Sequence, residues 1–175
     1  MPLPELETLD ILGFNGQLRR NFWGWVARKI AIFSRDDDEP PTVWTHVGLM
    51  YDGENICEAL AEVVIQPVLP RLEEPNTPVE IYRIRGVTPE QKARAQQVCE
   101  EYRGRRYGWW KIALHALGLR KLAVWEKRPI CSLLVADVVN RAVGRRLFAL
   151  SAQPDCICDA CAMDDDIDLV YRTEG

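Results

Sequence analysis

Apolar and polar positions along this chain change period several times, and each change predicts an element. Residues 9 to 13, LDILG, form a short apolar run of strand length. Phe22, Trp23, Val26, Ile30 and Phe33 then recur at helical spacing, with Arg19, Arg20, Arg28 and Lys29 elsewhere around the same helix. The acidic, proline-containing RDDDEPPT ends that helix and predicts a surface loop. Strand-forming runs lie on either side of YDGEN: Val43, Trp44, Val47, Leu49 and Tyr51 before it, Ile56, Leu60, Val63, Val64 and Ile65 after it. Asp52-Gly53 is turn chemistry, so these runs predict a β-hairpin. VEIYRIRG, residues 79–86, alternates apolar and charged positions and predicts a further strand.

The next helix has its start written in. Thr88 is the N-cap, Pro89 the first helical residue and Gln91 the capping-box partner, and Gly104 marks the end. YGWWKIALHALG predicts a short helix ending near Gly118, and CSLLVADVVNRAVG a third from Cys131 to about Gly144. A last strand is expected at DLVYR. The order is one of helix, strands, then helices, which predicts an α+β fold: an antiparallel sheet with helices packed beside it. Residues 1–175 read as a single domain, with 152–175 as a cysteine- and acid-rich C-terminal extension or last strand.

Composition narrows the function classes. At 47% hydrophobic and 27% charged residues the chain belongs with ordinary globular proteins. A net charge of −4 argues against phosphate-backbone binding, so no nucleic-acid partner is expected. No apolar run approaches bilayer length, and MPLPELETLD lacks the basic start and apolar block of a secretory signal, so the expected compartment is the cytoplasm.

Six cysteines in such a chain are expected as reduced thiols. Cys131 has a distinctive setting, since it opens an apolar helix whose buried face is Leu134, Val135, Val138 and Val139. A thiol there meets unpaired backbone N–H groups and the positive end of the helix dipole, both of which favour the thiolate. A nucleophile of this kind needs a base, and the chain has two histidines. His46 lies in the strand run TVWTHVGLMY; His115 lies amid apolar residues with no acid nearby in sequence and is the weaker candidate. By position alone, a helix-start cysteine or a strand histidine is more often packing than chemistry.

Taken together, LDILG, the amphipathic helix, THVGLMYDGENICEAL, YRGRRYGWW and RPICSLLVADVVNRA resemble the circularly permuted papain-like cysteine hydrolases, over about residues 9 to 150. These are YiiX-like relatives of the NlpC cell-wall peptidases and of lecithin:retinol acyltransferase. In that group the histidine, in an S/T-H-V-G strand, precedes the cysteine, which opens a helix in a C-S-E-L-V-like segment. The resemblance implies Cys131 as nucleophile, His46 as general base, Glu58 as the acid that orients the imidazole, and Tyr107 as an oxyanion or substrate-binding group. Leu133 stands where family members often carry glutamate, which leaves the triad intact but puts shared substrate contacts in doubt.

The triad requires a register. A two-residue loop at Asp52-Gly53 would put Glu58 on the wrong face of the hairpin, whereas a three-residue loop, Asp52 to Glu54, sets Gly48 opposite Glu58 and makes His46 its diagonal neighbour on one face. That register is expected, with Gly48 leaving the space open. The implied function is a cysteine peptidase or amidase cleaving an amide bond, peptidoglycan stem peptides being the best guess for a bacterial or phage chain, with delivery in a phage particle one route to the wall. The alternatives are a lipid or acyl-ester hydrolase or acyltransferase, and a catalytically vestigial structural module of a larger assembly. A peptide-like or acyl substrate is the expected partner, and no cofactor or metal is expected. Cys156, Cys158 and Cys161 have a C-x-C-x-x-C spacing that could bind zinc, but no fourth ligand is evident and flanking acids disfavour it, so free or redox-sensitive thiols are the expectation. RRNFWGWVARK could contact a membrane surface, although core packing is the more frequent use of such a stripe.

Overall fold

The computed structural model describes residues 3–15, 44–75, 77–108, 129–150 and 154–173. The helix expected around Phe22 to Phe33, the acidic loop after it, the helix expected in YGWWKIALHALG and the candidate His115 lie outside the described residues.

The fold is α+β. Six antiparallel strands form one sheet: β1 (Ile11–Phe14), β2 (His46–Met50), β3 (Asn55–Ala59), β4 (Val63–Pro67), β5 (Val79–Ile84) and β6 (Ile167–Arg172), in the order β4-β3-β2-β1-β5-β6. β1 lies inside the sheet and is buried at every position, which is why ILGF reads as an unbroken apolar run instead of an alternating one. β6, at an edge, carries exposed Asp168 and Leu169.

The helices are α1 (Leu69–Leu72), α2 (Pro89–Tyr102), α3 (Cys131–Val143) and α4 (Pro154–Met163). α2 has both hydrogen bonds of the capping box between Thr88 and Gln91. Left-handed Gly104, just after it, and Gly144, at the end of α3, stop the two helices at φ 75° and 77°. α3 packs on β2 and β3, α2 packs on α3, and α4 packs on β6 and α3. The main core lies between this helical layer and the sheet, with Val47, Leu49, Cys57 and Ala59 facing Leu134, Val135, Val138 and Val139. The opposite sheet face carries a second cluster, including Leu12, Phe14, Met50, Ile56 and Val68. No helix among the described residues is long and apolar enough to cross a membrane.

One expectation needs correction. The run from Ile56 to Ile65 is two strands, because the chain turns at Leu60-Ala61-Glu62 with Leu60 N–H donating to the Glu62 carbonyl at 3.0 Å. That turn contains no Gly, Pro or Asn to announce it, and β4 folds back beside β3 to form the edge. The C-terminal cysteine run is helix α4, with Ile157, Cys158 and Cys161 buried in the main core. Residues 154–173 therefore contribute a core helix and an edge strand, and α4 can sit close to the sheet because Gly13 has no side chain: a Cβ there would come within 2.6 Å of Cys158 Sγ.

Candidate active site

The loop between β2 and β3 decides the geometry. Tyr51 N–H donates to the Asn55 carbonyl at 2.8 Å, closing a loop of Asp52, Gly53 and Glu54. Asp52 Oδ1 accepts from the backbone N–H groups of Glu54 and Asn55 at 2.8 and 2.6 Å. Turn chemistry at Asp52 thus acts through its carboxylate, an Asx-type turn, and Gly53 does not adopt a left-handed conformation. Leu49 pairs with Cys57 and Met50 with Ile56, so one step further Gly48 stands opposite Glu58, in the register the triad requires. The expected open space at Gly48 is filled: a Cβ there would lie 2.6 Å from Ile56 Cδ1, so Ile56 packs over the glycine.

In this register His46 and Glu58 share a face. Glu58 Oε2 accepts from His46 Nε2 at 2.8 Å. Glu58 is fully buried, and its other oxygen is also engaged. Gln66 Nε2 donates to Oε1 at 2.7 Å from β4, and Arg71 Nε of α1 lies 3.0 Å from the same atom. Burial alone would raise the Glu58 pKa, yet it is lowered, because the hydrogen bond and charge of His46, the charge of Arg71 and the Gln66 amide outweigh desolvation.

Cys131 is the first residue of α3, and Ile130, the N-cap, has no side-chain cap for the first-turn N–H groups. The sulfur and the His46 imidazole lie close enough for each to shift the pKa of the other. α3 packs on the face bearing Val47 and Leu49 while His46 lies on the face of Phe14, so thiol and imidazole meet at the first residue of β2, where the strand begins. Burial opposes a Cys131 thiolate, but the His46 hydrogen bond and charge, the Val47 backbone N–H and the Tyr107 hydroxyl win, and the thiol is held below its ordinary value. Burial likewise opposes the imidazolium, and the Cys131 and Glu58 hydrogen bonds and charges reverse it, pushing His46 up to about 9. Both shifts favour the thiolate–imidazolium form of the pair.

Tyr107 precedes Gly108, whose N–H donates to the Pro129 carbonyl at 2.9 Å and ties this segment to the start of α3. The Tyr107 hydroxyl lies 3.8 Å from Cys131 Sγ, and burial, reinforced by the neighbouring thiolate, raises its pKa so that it stays a donor. The Cys131 backbone N–H works against that rise. Cys131 is only 3% exposed, whereas the His46 side chain is 17% exposed, so the ring is the more accessible of the two groups.

All four sequence-derived candidates, Cys131, His46, Glu58 and Tyr107, are therefore brought together. Gln66, Arg71 and the Val47 N–H were not legible beforehand. The signal for the first two was indirect: a carboxylate buried in a strand demands donors and a counter-charge, and VIQPVLPRL lies next in the chain. Cys156 is exposed while Cys158 and Cys161 are buried, so the three thiols of the C-terminal run do not share a face. Among the described residues no group of three or more His, Cys, Asp or Glu side chains is arranged to hold a metal ion. No protein-family model and no curated protein matches the chain.

Proposed function

We propose that this chain is a cysteine hydrolase of circularly permuted papain-like type, cleaving an amide bond of a peptide-like substrate. One observation carries the reading: a buried carboxylate holds His46 Nε2 at 2.8 Å, and the thiol at the mouth of α3 lies close enough to the same imidazole for each to shift the pKa of the other. A packing cysteine needs no such chain of partners, and a strand histidine in a structural role needs no thiolate. The order of histidine strand before cysteine helix, with an antiparallel sheet between them, supports the permuted fold.

In this reading the Cys131 thiolate attacks the carbonyl carbon, and the carbonyl π electrons move to oxygen. The Cys131 backbone N–H and the Tyr107 hydroxyl receive that oxyanion as donors. His46, already an imidazolium, gives its proton to the leaving amine as the C–N bond breaks. Water then attacks the thioester, His46 takes the water proton, and the thiolate departs with the acid released. Glu58 keeps the ring oriented and its charge compensated throughout. Water is the only co-reactant. Stem peptides of peptidoglycan fit this chemistry and are the first substrates to try.

The test is acyl-enzyme trapping. Incubation with activated acyl esters, peptide amides and muropeptides, followed by acid quench and peptide mapping, should give an acyl adduct on Cys131 that His46→Ala removes. Adducts spread equally over Cys131 and exposed Cys156, or none at Cys131 with any acyl donor, would end the proposal.

A further inference from the structure

We propose that Arg71 is a positioning residue of this site: from α1, its guanidinium keeps the Glu58 carboxylate charged behind His46. The inference rests on the catalytic reading above and adds to it the group that stands behind the acid.

Glu58 has no contact with water, so its charge must be met inside the protein. The groups facing it are His46 from β2, Gln66 from β4 and Arg71 from α1, with Cys131 beyond the imidazole and Glu74 beyond the guanidinium. Gln66 is neutral: it can direct an oxygen but cannot balance a charge. His46 is a cation only while protonated. Arg71 is a cation at every working pH, and is the permanent counter-charge among these groups. Its Nε is 3.0 Å from Oε1 but makes no aligned hydrogen bond there, so the contact acts through charge.

Arg71 is itself fixed. Its Nη1 donates to Glu74 Oε2 at 2.8 Å, and its guanidinium lies over the Phe14 ring at 5.0 Å. The same Phe14 ring is 5.9 Å from the His46 ring, so one aromatic side chain lies against both Arg71 and His46 on this face. α1 is short, and Val68 N–H, donating to the Glu54 carbonyl at 2.9 Å, ties its start to the loop that sets the hairpin register. Arg71 thus touches the acid, and no reacting atom.

In the thiolate–imidazolium form, the charges of Cys131, His46, Glu58 and Arg71 sum to zero, with Glu74 as a further carboxylate on the outer side of Arg71. Without the guanidinium a net negative charge is left in a buried site. Glu58, buried away from water, then takes up a proton, and a neutral carboxyl no longer supports the imidazolium. His46 falls back toward imidazole, and the thiolate with it.

The chain has only two histidines, so a His115→Gln background leaves His46 alone to be followed by NMR. In that background, Arg71→Met should lower the His46 midpoint by about one unit or more and slow iodoacetamide labelling of Cys131 about tenfold near pH 6.5. Arg71→Lys should restore most of both, and near-UV circular dichroism reports whether each variant is folded. If the methionine variant does not fold, Arg71→Gln keeps a polar side chain at the site and reads the same two quantities. A His46 midpoint at or above that of the parent, or a folded lysine variant that restores nothing, would overturn the role of Arg71. The underlying catalytic reading fails separately: there the parent protein itself labels Cys131 no faster than Cys156 and titrates His46 as an ordinary imidazole.

Discussion

His46 and Glu58 are diagonal neighbours on adjacent antiparallel strands, and a three-residue loop places their polar atoms 2.8 Å apart. Side chains alternate with period two along a strand, so a loop one residue shorter would turn Glu58 to the other face. The site therefore depends on backbone register as much as on residue identity.

That dependence can be measured by deleting Gly53. The shortened loop moves Glu58 and Ile56 together out of their faces, so the expected outcome is loss of preferential Cys131 labelling together with a lower denaturation midpoint. Preferential labelling that survives the deletion would show that the Glu58 contact is dispensable.

Gly48→Ala tests the crowding at the centre of the same hairpin. The new methyl would lie 2.6 Å from Cδ1 and 3.1 Å from Cγ1 of fully buried Ile56, so Ile56 has to leave its place in a packed cluster. Overpacking of this kind costs about 1 to 3 kcal/mol, to be read from urea unfolding. Because the Glu58 Cβ is 3.4 Å away, the labelling rate of Cys131 should fall less than stability does.

Glu58→Ala leaves Arg71 beside a cavity without its buried partner. Breaking a buried pair on one side costs about 3 to 5 kcal/mol, and Glu58→Gln should cost less because the shape is kept. Both variants should lower the His46 titration midpoint, since the carboxylate that favours the imidazolium is gone. An unchanged midpoint in the folded glutamine variant would mean that Cys131 alone sets the state of the ring.

The pH dependence has two limbs. Cys131 stays a thiolate below the ordinary thiol range, so its labelling should outpace that of exposed Cys156 most strongly in mildly acidic buffer. Turnover should fall as pH rises through about 9, where His46 gives up the proton owed to the leaving group. The stability link has the matching sign. The folded value of His46 lies above its free value of 6.5, so its stabilisation is complete below 6.5 and is lost as pH rises through about 9. Denaturation midpoints of the parent and a His46→Gln variant should converge over that interval.

Tyr107→Phe separates oxyanion binding from thiolate formation. Loss of a single oxyanion donor costs about 10²- to 10³-fold in kcat, with KM little changed. Iodoacetamide labelling, which has no oxyanion to hold, should change far less. Equal losses in both assays would assign Tyr107 to the thiolate instead.

Much of this was readable in the chain. The capping box at Thr88 and Gln91, the stops at Gly104 and Gly144, and the strands at Ile11, Val79 and Ile167 are local devices, and local devices are written in neighbouring residues. The second hairpin was not, because Leu60-Ala61-Glu62 turns without turn-forming residues and only the pairing of β4 with β3 imposes it. Gln66 and Arg71 were missed for the same reason: with that turn unread, nothing brought them back to Glu58.

The residues by themselves determined that a cysteine opens a helix, that a histidine and a glutamate flank a tight loop, and that the loop must hold three residues for them to share a face. Tertiary structure decided the rest: that Glu58 takes Nε2 of the ring, which cation stands behind the acid, and that thiol and imidazole meet at the start of β2. Those are long-range contacts between elements far apart in the chain. Their electrostatics arise only when burial removes the water that would otherwise screen each charge alone.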